Sequence, residues 1–274
     1  MEKAFNIFLL YLILTFMTAC VRSNSKQLDV QQAASQGDAE AQFKLGQMYD
    51  YSEHDNNQAL AWYRKAADQG LAEAQYQLGR IYGGTRFSGD DELGPDYFIR
   101  LSPLAQSSIY RIFVPIDRAQ AAEWYHKAAT QGHAKAQTNL GVYYQLGLGV
   151  PKDITQALAW FRKAADQGYA EAQTNLGLMY ANGEGVPKDA TQAVVWYRKA
   201  ADQGLADAQY ALAWMYATGE GVPKDAVKAY MWITLSADQN FKGAVEVRDE
   251  IAKLLTPSQL EEGRRLTQDW LEHH

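Results

Sequence analysis

Few residues in this chain could carry covalent or metal chemistry. Its histidines are His54, His126, His133, His273 and His274, and only the last two adjoin, at the very end of the sequence. Two imidazoles without a scaffold fall short of the ligand set that zinc takes. Cys20 is the only cysteine, so neither an intramolecular disulfide nor a thiolate-held zinc or iron–sulfur centre can be assembled. The sequence contains no nucleophile elbow, no His-Glu-x-x-His, no phosphate loop and no dinucleotide fingerprint. Gly183-Glu184-Gly185 follows a helical pattern instead of a strand and reads as a turn. The expectation is a chain without catalysis, cofactor or metal. What remains is recognition chemistry. The amides of Asn139 and Asn175 can give and accept backbone hydrogen bonds, and Phe43, Tyr76, Tyr210 and Trp214 offer large rigid contact areas.

Composition narrows the partner. With 274 residues, 47% apolar content, 21% charged residues and seven prolines, the chain can bury a sizeable core. Formal net charge is -6, with no run of five like charges and no basic stripe, which argues against DNA or RNA. A protein or peptide partner and a monomeric chain are expected.

The N-terminus reads as an address. From Ala4 to Cys20 the chain carries no charge and is dense in Phe, Leu and Ile, then turns polar at Arg22-Ser23-Asn24-Ser25-Lys26. The segment Phe16-Met17-Thr18-Ala19-Cys20 resembles a bacterial lipobox, although Met17 stands where Leu is more usual and Glu2 dilutes the positive flank. The resemblance implies that residues 1–20 are a signal peptide and that Cys20 becomes the lipidated first residue. An uncleaved anchor, an ordinary cleaved signal or a buried helix also fits a segment of this length. The leading readings all export the domain, facing the periplasm or cell surface, and Val21 after the cysteine favours the outer membrane. Residues 21–37 fit a tether or a partial N-terminal helix.

The elements that would position the recognition residues come from an internal repeat. Residues 133–168 and 169–204 are two copies of one unit, and 205–240 restarts it. Residues 38–70 form a copy shortened in its loop, and 71–132 a copy with an insertion at about 87–112. In 170–180, Ala172, Leu176, Gly177, Met179 and Tyr180 recur at helical spacing. Gly183, Gly185 and Pro187 break that helix. Asp189 caps the next, which runs through Ala193, Trp196, Tyr197, Ala200 and Ala201 until Gly204 ends it. The cap recurs at Asp55, Asp117, Asp153 and Asp225, and the stop at Gly70, Gly132 and Gly168. Gly46, Gly79, Gly141 and Gly177 lie inside the first helices, where glycine costs about 1 kcal/mol against alanine, so close packing is expected there. Trp62, Trp124, Trp160 and Trp196 repeat on the second helices and read as packing residues. Residues 241–274 read as cap helices, with a capping box at Thr256-Pro257-Ser258-Gln259.

The pattern Ala-Glu-Ala-Gln-x-x-Leu-Gly-x-Met-Tyr, Gly-Glu-Gly-Val-Pro-Lys-Asp, Ala-x-x-Trp-Tyr-Arg-Lys-Ala-Ala-Asp-Gln-Gly resembles the Sel-one-like repeat (SLR), a relative of the tetratricopeptide repeat. The resemblance covers residues 38 to about 245. It implies an all-α, right-handed solenoid of about five antiparallel helix pairs, with the first helices lining a concave surface, and a role as a non-enzymatic adaptor.

On that architecture the residues three and two before each mid-helix glycine, and one after it, face solvent. They are Phe43, Lys44 and Gln47; Tyr76, Gln77 and Arg80; Thr138, Asn139 and Val142; Thr174, Asn175 and Leu178; and Tyr210, Ala211 and Trp214. These form the candidate protein-binding groove. The plainer reading makes them ordinary helix-surface residues, with the aromatics packing on the next repeat. The insertion, rich in residues such as Phe87, Tyr97, Phe98, Leu101, Tyr110 and Phe113, is too apolar for a solvated linker and reads either as a self-packed decoration or as a binding element.

The competing class is an envelope enzyme acting on β-lactam or peptidoglycan-like substrates, as described for some cysteine-rich SLR relatives. Those carry a disulfide in each repeat, and this chain has no cysteine in any repeat. Ser23-Asn24-Ser25-Lys26 has the Ser-x-x-Lys spacing of serine β-lactamases, but it lies in the tether and lacks the companion Lys-Thr-Gly.

Overall fold

Helix boundaries fall where glycines and aspartates dictate them. In the computed structural model, which describes residues 27–50, 56–84 and 115–274, there are thirteen helices and no strand among the described residues. They are α1 (27–35), α2 (Ala39–Met48), α3 (Asn56–Asp68), α4 (Ala72–Gly83), α5 (Arg118–Thr130), α6 (Ala134–Leu146), α7 (Ile154–Asp166), α8 (Ala170–Asn182), α9 (Ala190–Ala201), α10 (Ala206–Thr218), α11 (Ala226–Asp238), α12 (Ala244–Leu254) and α13 (Pro257–His273). The chain divides into two compact units, Met1–Ala128 and Ala129–His274. Cys20, Asp55 and the insertion at about 87–112 lie outside the described residues.

The expected caps form. Asp153, Asp189 and Asp225 each accept a hydrogen bond from the backbone N–H three residues on, at 3.0 Å. Asp117 does the same for Gln120 at 2.9 Å. The Gln120 backbone and side-chain hydrogen bonds hold the Asp117 carboxyl below its usual value. At Asp225 partial burial opposes ionisation, yet the Lys228 backbone, side chain and charge prevail and lower it. The stops form too, with Gly70, Gly132, Gly168 and Gly204 at φ between 87° and 94°. Thr256 and Gln259 close the capping box that starts α13.

In the first unit α2 packs on α3 and α3 on α4. In the second, α6–α7, α8–α9 and α10–α11 are hairpins, and the second helix of each packs on the first helix of the next. Each unit is therefore a run of stacked helix pairs, the solenoid arrangement in which a repeat touches only its neighbours. α1 opens the first unit, with Ala34 1% exposed and packed with Ala41 and Leu45, so residues 27–35 are helix and not tether.

Every mid-helix glycine sits under an aromatic ring of its partner helix. A Cβ built on Gly46, Gly79, Gly141 or Gly177 would lie 2.5–2.8 Å from ring atoms of Tyr63, Tyr125, Phe161 or Tyr197 respectively. The cost of glycine in a helix is thus offset by a buried aromatic. In the last copy Ala213 replaces the glycine, and Ile233, at the twenty-residue spacing of Gly141–Phe161 and Gly177–Tyr197, replaces the ring. Gly263 on α13 repeats the device against Tyr230.

The second-helix tryptophans pack as expected. Trp124 and Trp160 are buried and Trp62 and Trp196 half-buried. The lysine three residues on lies over each ring, 3.8–4.1 Å from its centroid.

Candidate binding surface

A glutamine ladder, which the sequence reading passed over, sets the spacing of the first helices. Gln42, Gln75, Gln137, Gln173 and Gln209 are all buried, and each Nε2 donates to the carbonyl eight residues earlier, at Ala34, Ala67, Ala129, Ala165 and Ala201, over 3.0–3.3 Å. Those carbonyls stand at helix C-termini, where each already accepts the N–H of the glycine three residues on, so the glutamine takes up the second lone pair. The ladder continues through Oε1. Gln69, Gln167, Gln203 and Gln239 donate to Gln42, Gln137, Gln173 and Gln209 at 2.7–2.9 Å. The recurrence of Gln at the fourth position of Ala-x-Ala-Gln was the available signal. A polar residue at an otherwise apolar helix face needs a fixed partner.

With the packing face of each first helix fixed, the predicted groove residues fall into three groups. The first group, of two residues, is a correction. Phe43 is 7% exposed, its ring 5.5 Å from that of Tyr63, and Thr138 is 5% exposed, its Oγ1 donating to the Ala134 carbonyl at 3.0 Å. Both point into the helix stack, so neither faces solvent as the spacing suggested. A second group is half-buried and engaged. Tyr76 lies 6.0 Å from Tyr125, and Gln77 reaches Glu73 at 3.4 Å. Thr174 bonds back to Ala170 at 3.1 Å, Val142 packs beside Ala157 and Phe161, and Tyr210 lies 5.2 Å from Phe241. Gln47, Arg80 and Ala211 are also half-buried.

The third group is available. Lys44 is exposed in the first unit. In the second unit Leu178 is 43% and Trp214 55% exposed. Asn139 and Asn175 are half-buried, and neither side chain bonds to another described residue. Positions 139 and 175, and 178 and 214, are each thirty-six residues apart, so they recur at one place on successive first helices.

The rows extend further than the sequence reading took them. Adding thirty-six to Tyr210, Ala211 and Trp214 gives Glu246, Val247 and Glu250 on α12. Ala136, Ala172, Ala208 and Ala244, all fully buried, keep the same phase. The first cap helix is a further first helix in register, with Asp249 where the others carry Gly or Ala.

Near this face the Asp207 carboxyl, on a residue that is itself exposed, is raised by partial desolvation and by the Glu171 charge. Burial, then the Asp207 charge, pushes the Tyr197 hydroxyl up to about 12. No group of three or more His, Cys, Asp or Glu among the described residues could hold a metal ion. No helix among them is long and apolar enough to cross a membrane.

A family model described as the Sel1 repeat matches residues 39–71, 72–94, 105–133, 134–169, 170–205 and 206–241. The chain belongs to the Sel1 repeat family. The Sel1 match divides residues 71–132 into two copies. In the fold, α4 pairs directly with α5 through Gly79 and Tyr125, and the Asp117 N–H donates to the Tyr82 carbonyl at 2.9 Å. The solved structures agree on the architecture. One is c5321, described as a protective antigen of uropathogenic Escherichia coli strains displaying an SLR fold, at 36% identity and TM-score 0.75 over 90% of this chain and 48% of its own. The chain thus spans about half the length of that relative. Another is a Sel1 repeat protein from Oxalobacter formigenes, at 29% identity and TM-score 0.68 over 93% of each chain. No curated protein matches the chain. Sel1 repeats are generally non-catalytic and build scaffolds typical of protein-interaction modules, and the stacked pairs here have the architecture of that repeat scaffold.

Proposed function

We propose that this protein is a non-enzymatic scaffold, anchored at a bacterial envelope through lipidated Cys20, that holds another protein or peptide along the first-helix face of its second unit. The observation that carries the reading is the row of available groups on that face. Asn139 and Asn175 have no partner among the described residues, and Leu178 and Trp214 stay exposed, while their neighbours are spent on packing. Free amides spaced by one repeat can pair with an extended backbone, and an exposed indole supplies an anchor. The lipobox-like segment ending at Cys20 supports the anchor. The description of the Escherichia coli relative as a protective antigen supports export.

The test is photo-cross-linking in the native host through a photoreactive residue at position 175, with mass spectrometry of the products. A discrete adduct at 175, absent when the probe stands at an exposed second-helix position such as 195, is expected. Adducts only at 195, or none at either, would refute the face. For the anchor, Cys20→Ser is expected to abolish incorporation of labelled palmitate and release the protein from the membrane fraction. Retention of the label would refute lipidation at that residue.

A further inference from the structure

The second unit carries an open slot between α10 and α12. Tyr210, Trp214 and Ala217 form one wall and Val247, Ile251 and Leu254 the other, enclosing about 270 Å³. The lining is almost wholly carbon, and its rim is not: Glu246 and Glu250 stand one turn apart on α12. That volume lies just under the roughly 300 Å³ at which small-molecule pockets begin, so the slot suits one or two side chains better than a cofactor.

Two features make it more than a packing gap. The first is exposure. Trp214 is 55% and Leu254 82% exposed at its mouth. Single exposed apolar residues are ordinary, but a continuous apolar cleft with an indole on one wall is the form an anchor pocket takes. The second is charge. Glu246 makes no ion pair among the described residues, and Glu250 reaches only Lys253, across an exposed 2.6 Å pair of the kind worth little in water. The rows explain how this arises. At the positions occupied by Thr138 and Thr174, then Tyr210, the chain next places Glu246; after Val142, Leu178 and Trp214 it places Glu250. The face turns from apolar to acidic over one repeat, and the slot lies at that seam.

We propose that this slot seats a large apolar side chain of a partner protein segment that also carries a lysine or arginine within one helical turn of it, the cation meeting Glu246 and Glu250. This rests on the scaffold reading and adds the chemistry of what is held. Burying the apolar anchor supplies affinity, and the two carboxylates supply register and selection against acidic segments.

The probe is a fluorescein-labelled twelve-residue peptide with a Leu-Leu pair flanked by lysines. Its control carries glutamates in place of the lysines. Binding to the full chain in phosphatidylcholine nanodiscs is followed by anisotropy, with empty nanodiscs as blank. The lysine peptide is expected to bind, to weaken as salt rises, and to weaken at least tenfold on Trp214→Ala. The double variant Glu246→Lys, Glu250→Lys is expected to lose the lysine peptide and gain the glutamate peptide. Since both carboxylates are exposed, that variant keeps the fold and serves even where Trp214→Ala does not. Equal binding of the two peptides, or no change in either variant, overturns the proposal. So does a dimer in sedimentation that Trp214→Ala abolishes, since a second copy would then fill the slot. An adduct at position 175 that persists in the double variant, with the peptide preference unchanged, sinks the slot and leaves the scaffold standing. Loss of the position-175 adduct in the wild-type chain sinks the scaffold instead.

Discussion

Replacing Gly177 by alanine sets two known effects against each other. In an isolated helix the change is favourable by about 1 kcal/mol, because alanine has the higher helix propensity. In this fold the new Cβ would sit 2.7 Å from Cδ1 and 2.8 Å from Cε1 of Tyr197, a residue only 4% exposed, so the ring must shift within the core. Overpacking a filled core typically costs about 1–3 kcal/mol. The expected net effect is a loss of about 1 kcal/mol. The chain itself contains the compensated version, Ala213 with Ile233. The double variant Gly177→Ala, Tyr197→Ile is therefore expected to be more stable than the sum of the two single effects, by about 1–2 kcal/mol of coupling. The assay is urea unfolding by circular dichroism, with amide exchange in α8 and α9 as the local readout because repeat arrays can depart from two-state behaviour. Stabilisation by Gly177→Ala alone, at the helix-propensity value, would refute the close-approach argument.

Three further perturbations read out other parts of the construction. Gln209→Leu removes the Nε2 bond to the Ala201 carbonyl and the acceptor for Gln239; with Gln209 fully buried, denaturation should show a loss of about 1–3 kcal/mol, and a neutral result would deny the ladder its role. Asp189→Ala deletes the N-cap of α9 and should cost about 1 kcal/mol, visible as a lowered urea midpoint. Asp117 and Asp225 have folded pKa values below the ordinary 3.8, so their stabilisation is full above that value and lost as pH falls through the folded pKa. Asp207 is shifted the other way, so its ionisation costs stability as pH rises above 3.8. Because Asp207 is exposed, solvent screens most of this cost, so Asp207→Asn is expected to raise the melting temperature only slightly at neutral pH and leave it unchanged in strong acid, and a melting temperature lowered at neutral pH would contradict the sign.

The helical hairpins, their caps and their glycine stops were legible because each depends on a local residue type repeated in phase. Asp189 and Gly204 mean the same thing in any fold. The mid-helix glycines announced a close approach, but not that the approaching group is a ring of the partner helix, since that needs the register between two helices. The site was legible only in part, for the same reason. Counting from Gly46 placed Phe43 on the outer face, yet the bare Cα of Gly46 lets Tyr63 in, and Phe43 folds down beside that ring. Thr138 is buried where Thr174, with the same hydroxyl bond back to its own helix, stays half-buried, a difference that the spacing does not carry. Glu246 and Glu250 were overlooked because α12 had lost the glycine that marks the phase.

The glutamine ladder has a consequence for how such a chain changes length. Gln173 meets Ala165 below and Gln203 above, and Gln209 meets Ala201 and Gln239 in the same way. The junctions from α6 to α11 are written in one vocabulary, so a whole copy can be spliced in or out and the flanking copies still recognise each other. The vocabulary stops at position 245, where the next rung would fall and the residue is an exposed valine. Reach along the first-helix face is therefore a matter of copy number, open to duplication without new invention.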